Sequence, residues 1–349
     1  MTMDDQVFVA DLGTTKVACL AVSLGENYQL KVDAAAVVPC RGLNRGTVAD
    51  IDVTAEALES ALGKVEREIG RRIETITVNI SGTHLKSDNS QGFVPIYPQS
   101  RPIRREDVLQ VVTHSRQLMM PPDREQIMAI PREFRVDGQR GVSRPVGLNG
   151  SRLEVMTHVI TGQTTHVQNV ERTVQAAGRQ LDGMAVGALA SGLGVLSSDA
   201  MDIGCVVVDI GGSTTDVAIF TGGAIAYTAT IPIGAGHVTS DIATLLKTTT
   251  EEAERLKIAH GCALASMVGN DDTVELTQLE SDAPRPMQRR VLCEICESRM
   301  REIGGFIQNH IERSGMNGLL PGGALITGGG SQLYGTEGLM SDCLRHIKA

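Results

Sequence analysis

Two stretches set 198 positions apart share one plan. Residues 7–20 read VFVADLGTTKVACL and residues 206–220 read VVVDIGGSTTDVAIF, with Asp11 and Asp209 in equivalent places (209 minus 11 gives the 198). Each is an apolar run ending in an aspartate, a turn of glycine and hydroxyl residues, and a second apolar run. Short apolar runs bounded by turn residues read as buried strands, so each copy predicts a strand, a tight turn and a returning strand. A strand that ends in such a turn exposes successive backbone N–H groups, which form a concave anion site. Glycine lets the backbone approach a phosphate with no Cβ between them. The hydroxyls of Thr14, Thr15, Ser213, Thr214 and Thr215 can donate to phosphate oxygens, and Lys16 adds a positive charge. Asp11 and Asp209 would repel a bare phosphate. They fit a Mg²⁺ lying between acid and phosphates, because that ion keeps several waters and few protein ligands. A lone Gly-Thr turn also joins ordinary hairpins. Two copies, with a third glycine turn in GALITGGGSQL (323–333), predict a duplicated architecture whose halves close on one nucleotide.

The bulk composition narrows the classes. At 349 residues the chain has room for about two domains of roughly 100–200 residues. With no Trp, five Phe and four Tyr, it lacks the aromatic surface that stacks single-stranded bases. A net charge of −9 opposes overall attraction to DNA or anionic lipid, so Arg104-Arg105 and Arg289-Arg290 read as solvated surface. Seven cysteines without regular spacing predict reduced thiols. Cys293 and Cys296 have no second pair to complete a four-ligand zinc site and read as buried thiols. The N-terminus has no basic stretch before its first strand and no apolar run approaches the ~20 residues of a membrane span. A soluble, cytoplasmic protein is expected.

Along the chain, apolar spacing predicts helices over 54–69, 105–119, 164–178 and 289–311, and strands at 28–38, 74–80, 152–162 and 226–234. MAIPREFRVDGQ (128–139) reads as strand and turn. Residues 83–160 are richer in charge and proline and read as an inserted subdomain. Thr249 and Glu252 fit a capping box, hydroxyl and carboxylate each satisfying a free N–H at a helix start.

DLGTTK and DIGGSTTD resemble the two phosphate loops of the actin, hexokinase and heat-shock-chaperone ATPase superfamily, and TGGGSQL its adenosine motif. Within it the chain most resembles the FtsA family of bacterial cell-division proteins, over about residues 6–340. GLNRGTVADID (42–52), residues 130–162, LASGLGVL (189–196), IPIGAGHVTSDIA (231–243), AERLKIAHGCA (253–263) and ITGGGSQLYG (326–335) carry that resemblance. It implies an α/β, two-lobed actin-like ATPase fold of duplicated RNase H-like domains with an FtsA-type inserted subdomain, and ATP with Mg²⁺ in the cleft. Residues 1–82 and 162–200 would form the first lobe and 83–161 the inserted, partner-binding subdomain. Residues 201–234 and 319–349 would form the core of the second lobe, and 235–318 its outer subdomain.

By motif, the resemblance assigns Gly13, Thr14, Thr15, Lys16, Gly211, Gly212, Ser213, Thr214 and Thr215 to the phosphates, with Gly234 and Gly236 also at the nucleotide. Asp11 and Asp209 would hold the metal through water. Glu254 and Lys257 would reach ribose and purine, with Gly328, Gly329, Gly330 and Gln332 beside the adenosine. Glu254 and Lys257 equally fit a surface pair one helical turn apart.

The implied partners are a second copy in an actin-like protofilament, the C-terminal tail of the tubulin-like FtsZ, and later division proteins through 83–161. Arg285, Arg289, Arg299 and Arg301 would suit an acidic, hydrophobic tail or be merely solvated. Nucleic acid is not an expected partner. Localisation would be the cytoplasmic face of the inner membrane at the division site.

Three departures matter. The chain stops at LRHIKA, where the family continues through further strands, a linker and an amphipathic membrane helix, so a truncated second lobe is expected. The second loop reads GGST where the family commonly has GGGT. GALASGLGVL (187–196) offers only Ser191, with Asp199 farther on, where related ATPases keep a water-orienting acid or amide. No catalytic residue is assigned, and slow or negligible hydrolysis is expected. The alternatives are an actin-like assembly ATPase of the pilus type and a small-molecule kinase of the same superfamily.

Overall fold

The computed structural model describes residues 6–25, 29–117, 119–279, 281–344 and 347, without the side chains of 281 and 282. Its two main sheets repeat one arrangement. In the first, Gln6–Leu12 pairs antiparallel with Lys16–Leu24, which pairs antiparallel with Leu30–Pro39. On its other side Gln6–Leu12 takes Thr75–Ile80 as a parallel neighbour, and Gln180–Val186 extends the sheet. In the second, Cys205–Ile210, Thr215–Thr221 and Ala224–Ile231 run antiparallel, and Ala324–Thr327 lies parallel to Cys205–Ile210. The parallel neighbour arrives in each half through a helical crossover, as parallel pairing requires.

The predicted helix over 54–69 is Ile51–Ile69. It starts three residues earlier because the Asp50 carboxylate accepts the Val53 N–H, and Thr54 donates its hydroxyl back to the Asp50 carbonyl. Leu58, Ala61, Leu62 and Val65 bury the inner face against the first sheet. The 289–311 prediction becomes Arg289–Arg313, which carries Leu292, Met300, Ile303 and Ile307 into the second core. The helix expected to 119 ends at Arg116, shortly before Pro121-Pro122.

The Thr249 cap forms as its hydroxyl accepts the Glu252 N–H, but the box does not close. The Glu252 carboxylate turns instead to Arg255, at 2.7 Å from both Nε and a terminal nitrogen. All seven cysteines are free thiols, and burial pushes that of Cys296 up to about 12. Among the described residues no helix is long and apolar enough to cross a membrane.

Between the halves, Lys86–Pro95, Arg124–Val136, Gln139–Val142 and Arg152–Gln163 form an antiparallel sheet of their own. The helix Arg105–Arg116 packs over it around a small core of Val94, Ile96, Ile103, Val111, Leu153 and Val155. This block meets the second sheet through a polar seam. Ser87 donates to the Thr228 carbonyl (3.0 Å) and accepts the Thr228 N–H (3.4 Å). The Asn89 amide donates to the Ala226 carbonyl at 3.0 Å. His158 sits between Asn89 and Thr228, and burial, with Arg132 nearby, pushes its pKa down to about 4.

Candidate functional site

The two turns foreseen from sequence close with the same hydrogen bond. Gly13 N–H donates to the Lys16 carbonyl at 3.0 Å, and Gly211 N–H to the Thr214 carbonyl at 2.8 Å; 198 added to 13 and 16 gives 211 and 214. The amides of Thr14, Thr15, Gly212, Ser213 and Thr214 have no acceptor among the described residues. The turns face each other so closely that a Cβ on Gly212 would lie 2.6 Å from Thr15 Cγ2 and 3.1 Å from Thr14 Oγ1. Thr15 and Lys16 are exposed, Thr14 is half-buried, and the buried Ser213 hydroxyl has no partner among the described residues. Five backbone amides, the hydroxyls of Thr14, Thr15 and Ser213 and the Lys16 ammonium thus converge from two halves of the chain as donors without acceptors among the described residues, which is the chemistry of an anion cradle.

Three predicted contacts have other work. Thr215 is fully buried and donates its hydroxyl to the Ile233 carbonyl at 2.8 Å, so it cannot reach a phosphate. Gly234 and Gly236 lie behind the second turn. Gly236 N–H donates to the Gly212 carbonyl (2.7 Å) and Gly234 N–H to His237 Nδ1 (3.1 Å), while the intervening Ala235 amide bonds the Gly211 carbonyl (2.9 Å). A Cβ on Gly234 would meet the Gly211 carbonyl at 2.5 Å and one on Gly236 the Gly212 carbonyl at 2.7 Å. These residues hold the turn in shape rather than present free amides to a ligand.

The two acids stand beside the turns, each held by a neutral side chain. The Asn79 amide donates to Asp11 Oδ1 while its oxygen accepts the Leu12 N–H at 2.6 Å. Ser191, on the helix Gly187–Val195, donates to Asp209 Oδ2 at 2.6 Å. Desolvation and the neighbouring Asp209 carboxylate push the Asp11 pKa up, and Lys16 pulls it back. Behind the pair lies Asp216, opposite Asp209 in the strand ladder and only 8% exposed. Burial pushes its pKa up to about 6. The Thr230 and Ser81 hydroxyls oppose that rise, and Asp209 and Asp11 add to it. Among the described residues no three acidic, imidazole or thiol groups converge as a cation cage. The converging pair of Asp11 and Asp209 beside a donor cradle still fits a hydrated divalent ion, which needs few protein ligands.

On the other side of the second turn, Glu254 and Lys257 pair at 2.7 Å, and both bond the Thr239 hydroxyl (Lys257 Nζ to Oγ1, 2.9 Å). Burial works against ionisation, but Lys257 and Thr239 hold the Glu254 carboxyl below the usual range. This is a tethered triad, not a loose surface pair. Gly328 has φ +85°, and a Cβ there would strike Asp209 Oδ1 and approach the Ile210 carbonyl to 2.6 Å. Gly330 is packed on Ile210, while Gly329 faces open space and Gln332 is exposed. Ser191 is engaged with Asp209, and Asp199 lies exposed in the short helix Ser198–Ile203.

The arginines of the outer subdomain differ from expectation. Arg299 forks onto Asp241 (2.6 and 2.8 Å) and also bonds Glu302. Arg301 pairs with Glu297 at 2.7 Å, and Arg289 donates to the His260 carbonyl at 2.8 Å with Asp272 at 3.6 Å. Three of the four are therefore engaged internally, Arg299 and Arg301 by acids on their own and a neighbouring helix and Arg289 by a helix-end carbonyl and the loop acid Asp272. Arg285 is exposed and has no carboxylate partner among the described residues.

Asn79, Ser81, Asp216 and Thr239 were not singled out from sequence. For Asn79 and Asp216 the available signal was a polar residue interrupting an apolar strand, as in TVNI and TDVAIF; Ser81 follows its strand and Thr239 lies in the helix Ala235–Leu245.

Twin sheets whose facing Asp-Gly turns share one cleft, a third glycine turn against the second, and an inserted sheet in the first half define an actin-like ATPase fold. Solved structures agree on the fold. The chain superposes on a PilM–PilN type IV pilus biogenesis complex with TM-score 0.68 and 17% identity, covering 97% of this chain and 85% of that one. With MreB5 of Spiroplasma citri bound to ADP the TM-score is 0.60 at 12% identity, covering 99% and 91%. The family model for the SHS2 domain inserted in FTSA matches residues 82–161, and that for cell division protein FtsA matches 206–348. Cell division protein FtsA of Pseudomonas aeruginosa is 36% identical over 332 residues, covering 95% of this chain and 79% of that protein. The Escherichia coli K12 protein is 33% identical, covering 93% and 79%. The chain belongs to the FtsA family and is an actin-like cell-division protein.

Proposed function

We propose that the cleft binds ATP with Mg²⁺ and that the bound nucleotide governs a scaffold which self-assembles, links FtsZ filaments to the membrane and recruits later division proteins. The observation that carries this reading is the pair of facing turns, with five amides lacking acceptors among the described residues beside Asp11 and Asp209. Gly13, Thr14, Thr15 and Lys16 would cradle phosphate from one side, and Gly211, Gly212, Ser213 and Thr214 from the other. Asp11 and Asp209 would hold a hydrated Mg²⁺, which neutralises phosphate charge. Glu254 and Lys257 would reach the ribose and purine, beside Gly329 and Gln332. The MreB5 structure bound to ADP supports a nucleotide in a cleft of this fold.

Turnover is slow or negligible. Orienting an attacking water needs an available acid or amide. Ser191 is engaged with Asp209, Asn79 with Asp11, and Asp216 with Thr230. Residues 83–161 form the partner-binding subdomain between 1–82 and 162–200. Residues 235–318 receive the FtsZ tail, with Arg285 the guanidinium best placed for an acidic peptide. The site of action is the cytoplasmic face of the inner membrane.

Two measurements test this. Calorimetric titration with ATP and Mg²⁺ should show binding that Asp209→Ala abolishes; an unchanged affinity would refute the metal role. Pelleting with FtsZ should fail only when the FtsZ tail is removed. Absence of association under every nucleotide condition, with folded protein, would sink the scaffold reading.

A further inference from the structure

Asp209 is gripped from two directions by parts of the chain that are far apart in sequence. Ser191 Oγ donates to Oδ2 at 2.6 Å. Oδ1 lies against the bare Cα of Gly328, where any Cβ would strike it, and φ +85° there also favours glycine. The helix that carries Ser191 is itself tightly seated. At its first residue, a Cβ on Gly187 would strike the Ser81 hydroxyl, and at Gly192 one would come within 2.5 Å of the Phe220 ring. Ser191 therefore has little freedom, and neither does the carboxylate it holds.

We infer that Ser191 is a positioning residue for the metal side of the cleft: it fixes the rotamer of Asp209 so that the carboxylate faces Asp11 with one oxygen already satisfied. This inference rests on the proposed Mg²⁺–ATP reading and deepens it. Two carboxylates brought near each other repel, and without a restraint the exposed side of the pair would turn away into solvent. A hydrogen bond to the charged form opposes that turning. Asn79 performs the matching task for Asp11. The two orienting groups come from different places: Asn79 lies one residue before the end of a strand of the first sheet, and Ser191 lies on the helix leading out of that sheet toward the second. Ser191 thus joins the first half of the chain directly to the acid of the second turn. The hydroxyl does not touch the nucleotide, and its effect is expected only where Asp209 matters.

The test is titration of ATP into wild type, Ser191→Ala and Ser191→Thr, each in MgCl₂ and in EDTA. In wild type, Mg²⁺ should tighten ATP binding. Ser191→Ala should reduce that Mg²⁺-dependent gain about tenfold, the cost of losing one charge-assisted hydrogen bond, and leave affinity in EDTA unchanged. Ser191→Thr keeps the hydroxyl and should restore the gain. The inference is overturned if Ser191→Ala retains the full Mg²⁺ gain, if it weakens binding equally in both buffers, or if Ser191→Thr behaves like Ser191→Ala at an equal melting temperature. Failure of wild type to bind ATP in either buffer would instead defeat the reading on which the inference rests.

Discussion

Asp216→Asn should make the ligand-free protein more stable at neutral pH, although it removes a charge from a polar cluster. In the folded chain the Asp216 carboxyl titrates near pH 6, against 3.8 as its ordinary value. Between those values the folded chain holds a proton that the unfolded chain has released, so stability falls as pH rises through that window. Above pH 6 the loss is complete. A rise from 3.8 to about 6 is about two pH units, and at 1.36 kcal/mol each the cost at neutral pH is roughly 3 kcal/mol. Asparagine stays neutral throughout. It keeps an oxygen to accept the Thr230 hydroxyl, and Ser81 can accept as well as donate. Urea unfolding at pH 7.5, 6.0 and 4.5, without nucleotide or Mg²⁺, reads the difference. The variant should lead by about 2–3 kcal/mol at pH 7.5, and its lead should shrink to roughly a third at pH 4.5. Comparing the two proteins at each pH cancels the carboxylates remote from this cluster. A variant less stable than wild type at pH 7.5, or equally ahead at 4.5 and 7.5, would refute the reasoning.

The other expectations separate neighbours that look alike in sequence. Thr215→Val should lower stability by about 1–3 kcal/mol in urea, because the buried Ile233 carbonyl loses its donor. Thr14→Val should leave unfolding within about 0.5 kcal/mol and weaken ATP binding instead; the reverse pattern would exchange their roles. Gly192→Ala should cost about 1–3 kcal/mol by overpacking against Phe220, and a neutral result by thermal unfolding would show that the ring can move aside. Arg285→Ala should weaken binding of an FtsZ tail peptide by fluorescence anisotropy. Arg299→Ala should mainly lower the melting temperature, through loss of its fork onto Asp241. A larger effect of Arg299→Ala on the peptide, at an unchanged melting temperature, would reverse that assignment.

What could be seen in the sequence was local. The twin strand-turn-strand copies, the third glycine turn and the helix faces all depend on residues within one or two turns of each other. Their spacing carries the information. What could not be seen depends on register and on distant partners. Thr215 looks identical to Thr14 as a hydroxyl beside a glycine. Only its ladder position opposite Ile231 places it under the Ile233 carbonyl. Arg299 looked available because Asp241 lies 58 positions away and reaches it only once two helices pack. Gly234 and Gly236 resembled a further ligand loop, yet the bare backbone is needed there so that one loop can rest on another. The Glu252 carboxylate shows the same limit at short range, since Arg255 one turn along captures it from the helix start.

The polar seam at the inserted block has a consequence for solubility. Ala224–Ile231 is the last strand of its sheet, and among the described residues one side of it has no strand to pair with. Such a margin is a template on which another chain can add a strand. Ser87 and Asn89 occupy that margin by binding the backbone of Thr228 and Ala226, and so act as a cover against aggregation. Excising residues 83–161 would uncover it, and sticking of the remainder at rising concentration would then report a bared sheet margin.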